Sequence, residues 1–207
     1  MDMTLFPTKG NLIIARNMLT LARQGYDLLD RKRMILVREM MGMIEKARKL
    51  NEGIQEVFKQ AYKALQDANI SMGISAVRQI GSAIPEDNSI QIRVHSIMGV
   101  EIPIVTVTRK PMQAGYGFRM TNTALDAARQ KFEEAKALSA ELAETENAIY
   151  RIAANIRRTM KRTNALKNIL IPKYEEITSM ISNALEEKDR EEFSRLKVIK
   201  LTKEKNG

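Results

Sequence analysis

The chain has 207 residues, 44% of them hydrophobic but only 5% aromatic, with neither tryptophan nor cysteine. Large compact cores lean on aromatic side chains, so thin layered packing suits this composition better. The absence of cysteine excludes a disulfide framework or a thiolate metal site, and a formal net charge of +9 implies an anionic partner: nucleic acid, a membrane surface or an acidic protein wall.

Met1 to Leu12 lacks a basic region followed by an apolar core, so no signal peptide is expected and the expected location is cytoplasmic. No apolar run approaches the roughly 20 residues that span a bilayer. Thr8 is a suitable N-cap, and Pro7 stops a helix from extending backward.

A strict seven-residue repeat then runs from Leu12 to Ala68. Its first seam position reads Leu12, Leu19, Tyr26, Arg33, Met40, Ala47, Ile54, Ala61 and Ala68. The partner position reads Ala15, Ala22, Leu29, Leu36, Met43, Leu50, Val57 and Ala64. Arg33 alone of these is polar, and it is expected to fix register at some stability cost. A heptad pattern held this long predicts a coiled-coil helix on the order of 85 Å long. Such a helix needs a second one of similar length to cover its seam. The pattern weakens at Asn69, Ser71 and Gly73, which ends the first segment, residues 1–74.

Residues 75–120 change character, with Pro85, Pro103 and Pro111 and few charges. Ile90, Ile92 and Val94 alternate with Gln91, Arg93 and His95, which predicts a half-buried strand with the isoleucines inward. Gly99 supplies a turn, and the β-branched run Val100–Thr108 predicts a second strand, with Pro103 at an edge or a bulge. Gln113 to Phe118 reads as a loop.

Helical periodicity returns over 121–207. Its seam reads Leu125, Ala128, Phe132, Ala135, Ser139, Leu142, Glu146, Ile149, Ala153, Ile156, Met160, Thr163, Lys167, Leu170, Tyr174, Ile177, Ile181 and Ala184. Pro172 is expected to kink this helix rather than end it. The charged tail from Glu186 is expected to fray after Leu201. The fold class expected is mainly α: a long antiparallel two-helix coiled coil with a small β-hairpin-containing tip. In an antiparallel register whose facing positions sum to about 192, Lys46 falls near Glu146 and Arg33 near Met160.

No phosphate-cradling Gly-x-x-x-x-Gly-Lys loop, zinc-protease motif or nucleophile elbow is present. No catalytic residue, cofactor or metal ligand is therefore expected. His95 reads as solvent-exposed, and Glu133-Glu134 and Glu191-Glu192 read as ordinary helix surface. The run Arg151, Arg157, Arg158, Lys161, Arg162, Lys167, Lys173 stands out, because no acid lies between Glu146 and Glu175. A solvated helix face normally carries acidic partners three or four residues away. Arg157, Arg158, Lys161 and Arg162, with Arg31 and Lys32, are therefore expected to form a basic collar that contacts a partner. On these grounds alone the protein is either one component of a larger assembly or a basic coiled-coil scaffold or nucleic-acid binder. The middle region is poor in the aromatic and basic groups that a nucleic-acid stacking platform needs.

Three motifs narrow this. Pro7-Thr-Lys-Gly-Asn-Leu12 with Gly25-Tyr-Asp-Leu-Leu-Asp-Arg-Lys-Arg33, then Ile97-Met-Gly-Val-Glu-Ile-Pro103, then Arg162-Thr-Asn-Ala-Leu-Lys-Asn-Ile-Leu-Ile-Pro172 lie in order along the chain. Together they resemble the D-subunit family of V-type and archaeal–bacterial A/V-type rotary ATPases. The resemblance implies a non-catalytic central-stalk rotor that transmits torque between ATP chemistry and an ion-carrying membrane ring. It implies that the paired helices enter the bore of a hexamer of A and B subunits, and the basic collar is then expected to face acidic residues lining that bore. It also implies that the tip, through Ile97, Met98, Gly99, Val100 and Pro103, works with the F and C subunits of the central stalk. Contact with the membrane is then only indirect, through the complex, and no nucleic acid is involved.

Overall fold

The computed structural model describes residues 6–84, 89–108, 117 and 121–205. Helix α1 spans Lys9–Met72 and α2 spans Ile74–Ala83. Strands β1, Ile90–Ile97, and β2, Val100–Val107, form a hairpin. Helix α3, Thr123–Ala165, passes through a π turn, Leu166–Leu170, into α4, Ile171–Lys205. The protein is mainly α, a coiled coil with one two-stranded antiparallel sheet. Pro85, Pro111 and the loop expected at 113–118, apart from Gly117, lie outside the described residues.

Helix α1 starts where the sequence requires. The Thr8 hydroxyl accepts a hydrogen bond from the Asn11 N–H at 3.2 Å, and its carbonyl accepts one from Leu12. Every heptad seam position from Leu12 to Ala68 is buried or half-buried. The helix ends at Met72 because Gly73 takes φ 86°, a conformation that an L side chain rarely adopts. Helix α2 follows in a stretch expected to be connector.

The chain forms two compact units. One comprises residues 35–156, the other residues 1–34 and 157–207. In the 35–156 unit, Leu36 of α1, Ala148 and Ile152 of α3, and Val100 and Ile102 of β2 make one core, with Met40, Met43, Ile97 and Ile156 against it. Fully burying a side chain such as Leu36 or Ile152 stabilises by about 1.5–3 kcal/mol. Farther along, Tyr62 meets the Phe132 ring edge-on, with centroids 5.5 Å apart.

The hairpin does not bury the β1 face that the sequence expectation put inward, while Gln91, Arg93 and His95 are exposed as expected. In register, Ile90, Ile92 and Val94 stand opposite Val107, Val105 and Pro103, while His95 and Ile97 stand opposite Ile102 and Val100. Paired residues share a sheet face. The face that carries Val100 and Ile102 is the one buried on the helices, so the β1 isoleucines are exposed rather than inward. Strand β2 is apolar on both faces, and packing rather than alternation decides which one is covered. Pro103 sits in regular pairing, on the outer side of a two-stranded sheet, without a bulge.

In the other unit, Ala15 packs on Ile177 and Ile181, joined by Leu12, Tyr174 and Leu185. A Cβ built on Gly25 would lie 3.8 Å from Leu166, which sets these two positions opposite each other. Arg23 and Glu175 close an exposed ion pair at 2.6 Å. The helix does not end at Pro172. Its missing N–H and the ring's clash with the preceding turn are met by the π turn just before it, where the Ile171 N–H reaches back to the Leu166 carbonyl.

The seam of α3 departs from the expected one. Glu146, Met160 and Lys167 are exposed and Ala153 is half-buried, whereas Thr145, Ile152 and Thr159 are buried and Leu166 is half-buried. One of the two seam positions thus falls one residue earlier over this stretch, while the other is kept at Thr163. Threonine fits because its hydroxyl bonds within its own helix: Thr145 donates to Glu141 O and Thr163 to Thr159 O, both at 2.9 Å. The back-bonded hydroxyls need no partner across the seam. Lys46 correspondingly pairs with Glu141 at 2.8 Å, not with Glu146.

Candidate functional site

The six residues of the expected collar all belong to the unit of residues 1–34 and 157–207. The Gly25–Leu166 register sets the level of Arg31 and Lys32 on α1 against that of residues 157–162 on α3. Arg31, Arg157, Arg158, Lys161 and Arg162 are exposed and Lys32 is half-buried. None of the six has an ion pair within 4 Å among the described residues. By contrast, Arg23, Lys46, Arg48 and Lys131 all do. Positions three and four residues from these α3 cations hold only alanine, asparagine, leucine, methionine, threonine or another cation. These like charges repel one another by a few tenths of a kcal/mol per pair, and nothing on the helix compensates them.

Arg33 is half-buried on the seam, but its bond is local: Nη2 donates to Asp30 at 2.6 Å on the same helix. Its Nε is buried without a partner. Among the described residues there is therefore no interhelical pair through which Arg33 would lock register.

The Ile97–Pro103 residues divide. Val100 lies in the protein's own core and Ile97 is half-buried beside it, so neither presents a free side chain. Met98 and Gly99 take φ 51° and φ 75°, which two-residue turns of this hand require. Glycine does so without penalty, whereas methionine is held there against its preference. Met98 is exposed at the turn and Pro103 is half-buried on the outer face.

Helix α4 carries a surface that sequence reasoning missed. It runs to Lys205 rather than fraying after Leu201. Phe193, at 71% exposure, and Leu196, Val198, Ile199 and Leu201 are all exposed, distributed around this end of the helix. The signal was legible as five large apolar residues between 193 and 201, but surrounding charges masked it. Exposed apolar groups gathered this closely mark an interaction surface. Among the described residues no cluster of histidine and acidic side chains is arranged to hold a metal, and no helix is long and apolar enough to cross a membrane.

A coiled coil that carries an inlaid hairpin, an unpaired basic face and an exposed apolar helix end defines a helical protein built to work inside a larger assembly. The model of the family described as the ATP synthase D subunit matches residues 11–201. The chain is 44% identical to the V-type ATP synthase D subunit of Thermotoga neapolitana, over 96% of this chain and 98% of the relative. It is 37% identical to the A-type ATP synthase D subunit of Methanobrevibacter smithii, over 96% and 87%. To that of Thermococcus kodakarensis it is 34% identical, over 94% and 92%. This chain belongs to the ATP synthase D-subunit family.

Proposed function

We propose that the protein is the non-catalytic central rotor of a V/A-type rotary ATPase or ATP synthase. It carries torque between ATP hydrolysis or synthesis in a hexamer of A and B subunits and ion movement through the membrane ring. The observation that carries this reading is the unpaired basic face: Arg31, Lys32, Arg157, Arg158, Lys161 and Arg162. An axle that turns inside a bore needs contacts that exchange at every step. Exposed ion pairs of about 0.2–1 kcal/mol each are weak enough to break, and several together still favour discrete rests. The apolar end of α4 suits a low-friction bearing, since apolar contact is non-directional and does not fix an angle. The F and C subunits dock along the stalk, with the hairpin as one docking element. The rotor works at the membrane periphery, within the complex, and needs no cofactor of its own.

Reconstitution tests this. A complex assembled from its other purified cognate components without this chain is expected to lose ATP-driven ion transport, and addition of the chain is expected to restore it. Ion transport coupled equally well in its absence would overturn the reading.

A further inference from the structure

The two edges of the hairpin are treated differently. The Thr108 N–H donates to the Ser89 carbonyl at 3.0 Å, which makes that a hydrogen-bonded pair. By antiparallel alternation the inward-bonding residues of β1 are then Gln91, Arg93, His95 and Ile97. The backbone N–H and C=O groups of Ile90, Ile92, Val94 and Ser96 point outward. On β2 two of the corresponding outward groups are occupied. The Val105 N–H donates to Glu144 at 2.6 Å, and the Glu101 carbonyl accepts from Arg151 at 3.2 Å. On β1 they have no partner among the described residues. The strand has eight regular residues without proline, lysine or bulge, and Arg93 is the one residue on it that blunts an exposed edge. Beside this edge Ile92 is 69% exposed and Val94 65% exposed.

We infer that β1 accepts a β-strand from another polypeptide, which extends the hairpin to a three-stranded sheet along the Ile90–Ser96 edge. The outward backbone groups dictate an extended segment, since only that supplies matching N–H and C=O groups at the strand spacing. The side chains dictate its pattern. Residues beside Ile92 and Val94 are apolar, and the one beside Arg93 is acidic. A second copy of this chain is a poor occupant. Of the two antiparallel self-pairings with the greatest overlap, one sets Arg93 directly against Arg93, where like charges are destabilising, and the other sets it against His95, which offers it no acidic partner. The strand therefore comes from a different, acidic partner. This inference rests on the reading of the hairpin as a docking element.

The test compares the full chain alone with the chain bound to its purified cognate stalk partners, by amide hydrogen exchange and by titration. In the free chain the amides of Arg93 and His95 are expected to be protected and those of Ile92 and Val94 to exchange. On binding, Ile92 and Val94 become protected. Val94→Pro removes one outward N–H and leaves the bonds to β2 intact, as exposed edges tolerate. It is expected to weaken binding tenfold or more, while Arg93 and His95 stay protected as proof of folding. Ile92→Ser with Val94→Ser tests the apolar face. If the serine variant weakens binding but the proline variant does not, and the Ile92 and Val94 amides still exchange, the hairpin docks by its face and strand addition is overturned. If neither variant changes affinity and no amide gains protection, the docking reading itself falls.

Discussion

The Glu144 carboxylate of α3 accepts the backbone N–H of Val105 at 2.6 Å, and one face of α3 thereby seals the outer edge of β2. Seven residues on, Arg151 holds the Glu101 carbonyl. Alongside these two, Ala148 and Ile152 press on Val100 and Ile102. A single helix face thus supplies both polar and apolar contacts to one strand. Hydrogen bonds to a charged group contribute about 1.5–3 kcal/mol. Glu144→Ala is expected to destabilise the 35–156 unit by about 1–2 kcal/mol in denaturant unfolding, with faster exchange of the Val105 amide. Unchanged exchange there would show that the bond does not seal the edge.

Leu36 is fully buried at the junction of α1, α3 and β2. Leu36→Ala should cost about 2–5 kcal/mol, through lost transfer energy and the cavity left behind. Because the hairpin rests on this residue, amide protection in β1 and β2 is expected to fall along with global stability. A loss of stability with full hairpin protection would show that the strands do not depend on the helix core.

Met98 is the one described non-glycine residue with positive φ. Met98→Gly relieves a strain of about 1–2 kcal/mol and is expected to raise the midpoint of thermal unfolding or leave it unchanged. If Met98 serves docking, the same variant binds the stalk partners more weakly. A variant that is both destabilised and fully competent to bind would contradict both expectations.

The basic face makes a separate prediction. Arg157, Arg158, Lys161 and Arg162 are exposed and lie off the seam, so reversing all four to glutamate should leave the helical circular dichroism of the isolated chain intact. Assembly into the hexamer should weaken, and its dependence on salt should be smaller than in the wild type. Equal assembly and turnover at low and high salt would identify the run as solvated surface.

The sequence alone determined α1, and it did so because burial there follows one rule. Each position from Leu12 to Ala68 that the heptad assigns to the seam is covered, and Thr8 and Gly73 mark its ends through their own backbone chemistry. The hairpin was legible too, from a period of two and a glycine turn. The family motifs likewise stand in the sequence without help from coordinates. Only tertiary structure decided which hairpin face is buried, since Val100 and Ile102 found Leu36 and Ile152 while Ile92 and Val94 found nothing. It also decided the seam of α3. There, buried threonines satisfy themselves through their own helix carbonyls, and a template that ranks positions by hydrophobicity prefers Met160 to Thr159. The π turn before Pro172 belongs with these. Proline announces a lost hydrogen bond, but that the helix absorbs it in a π turn and goes on to pack Ile177 and Ile181 on Ala15 is seen only in the structure.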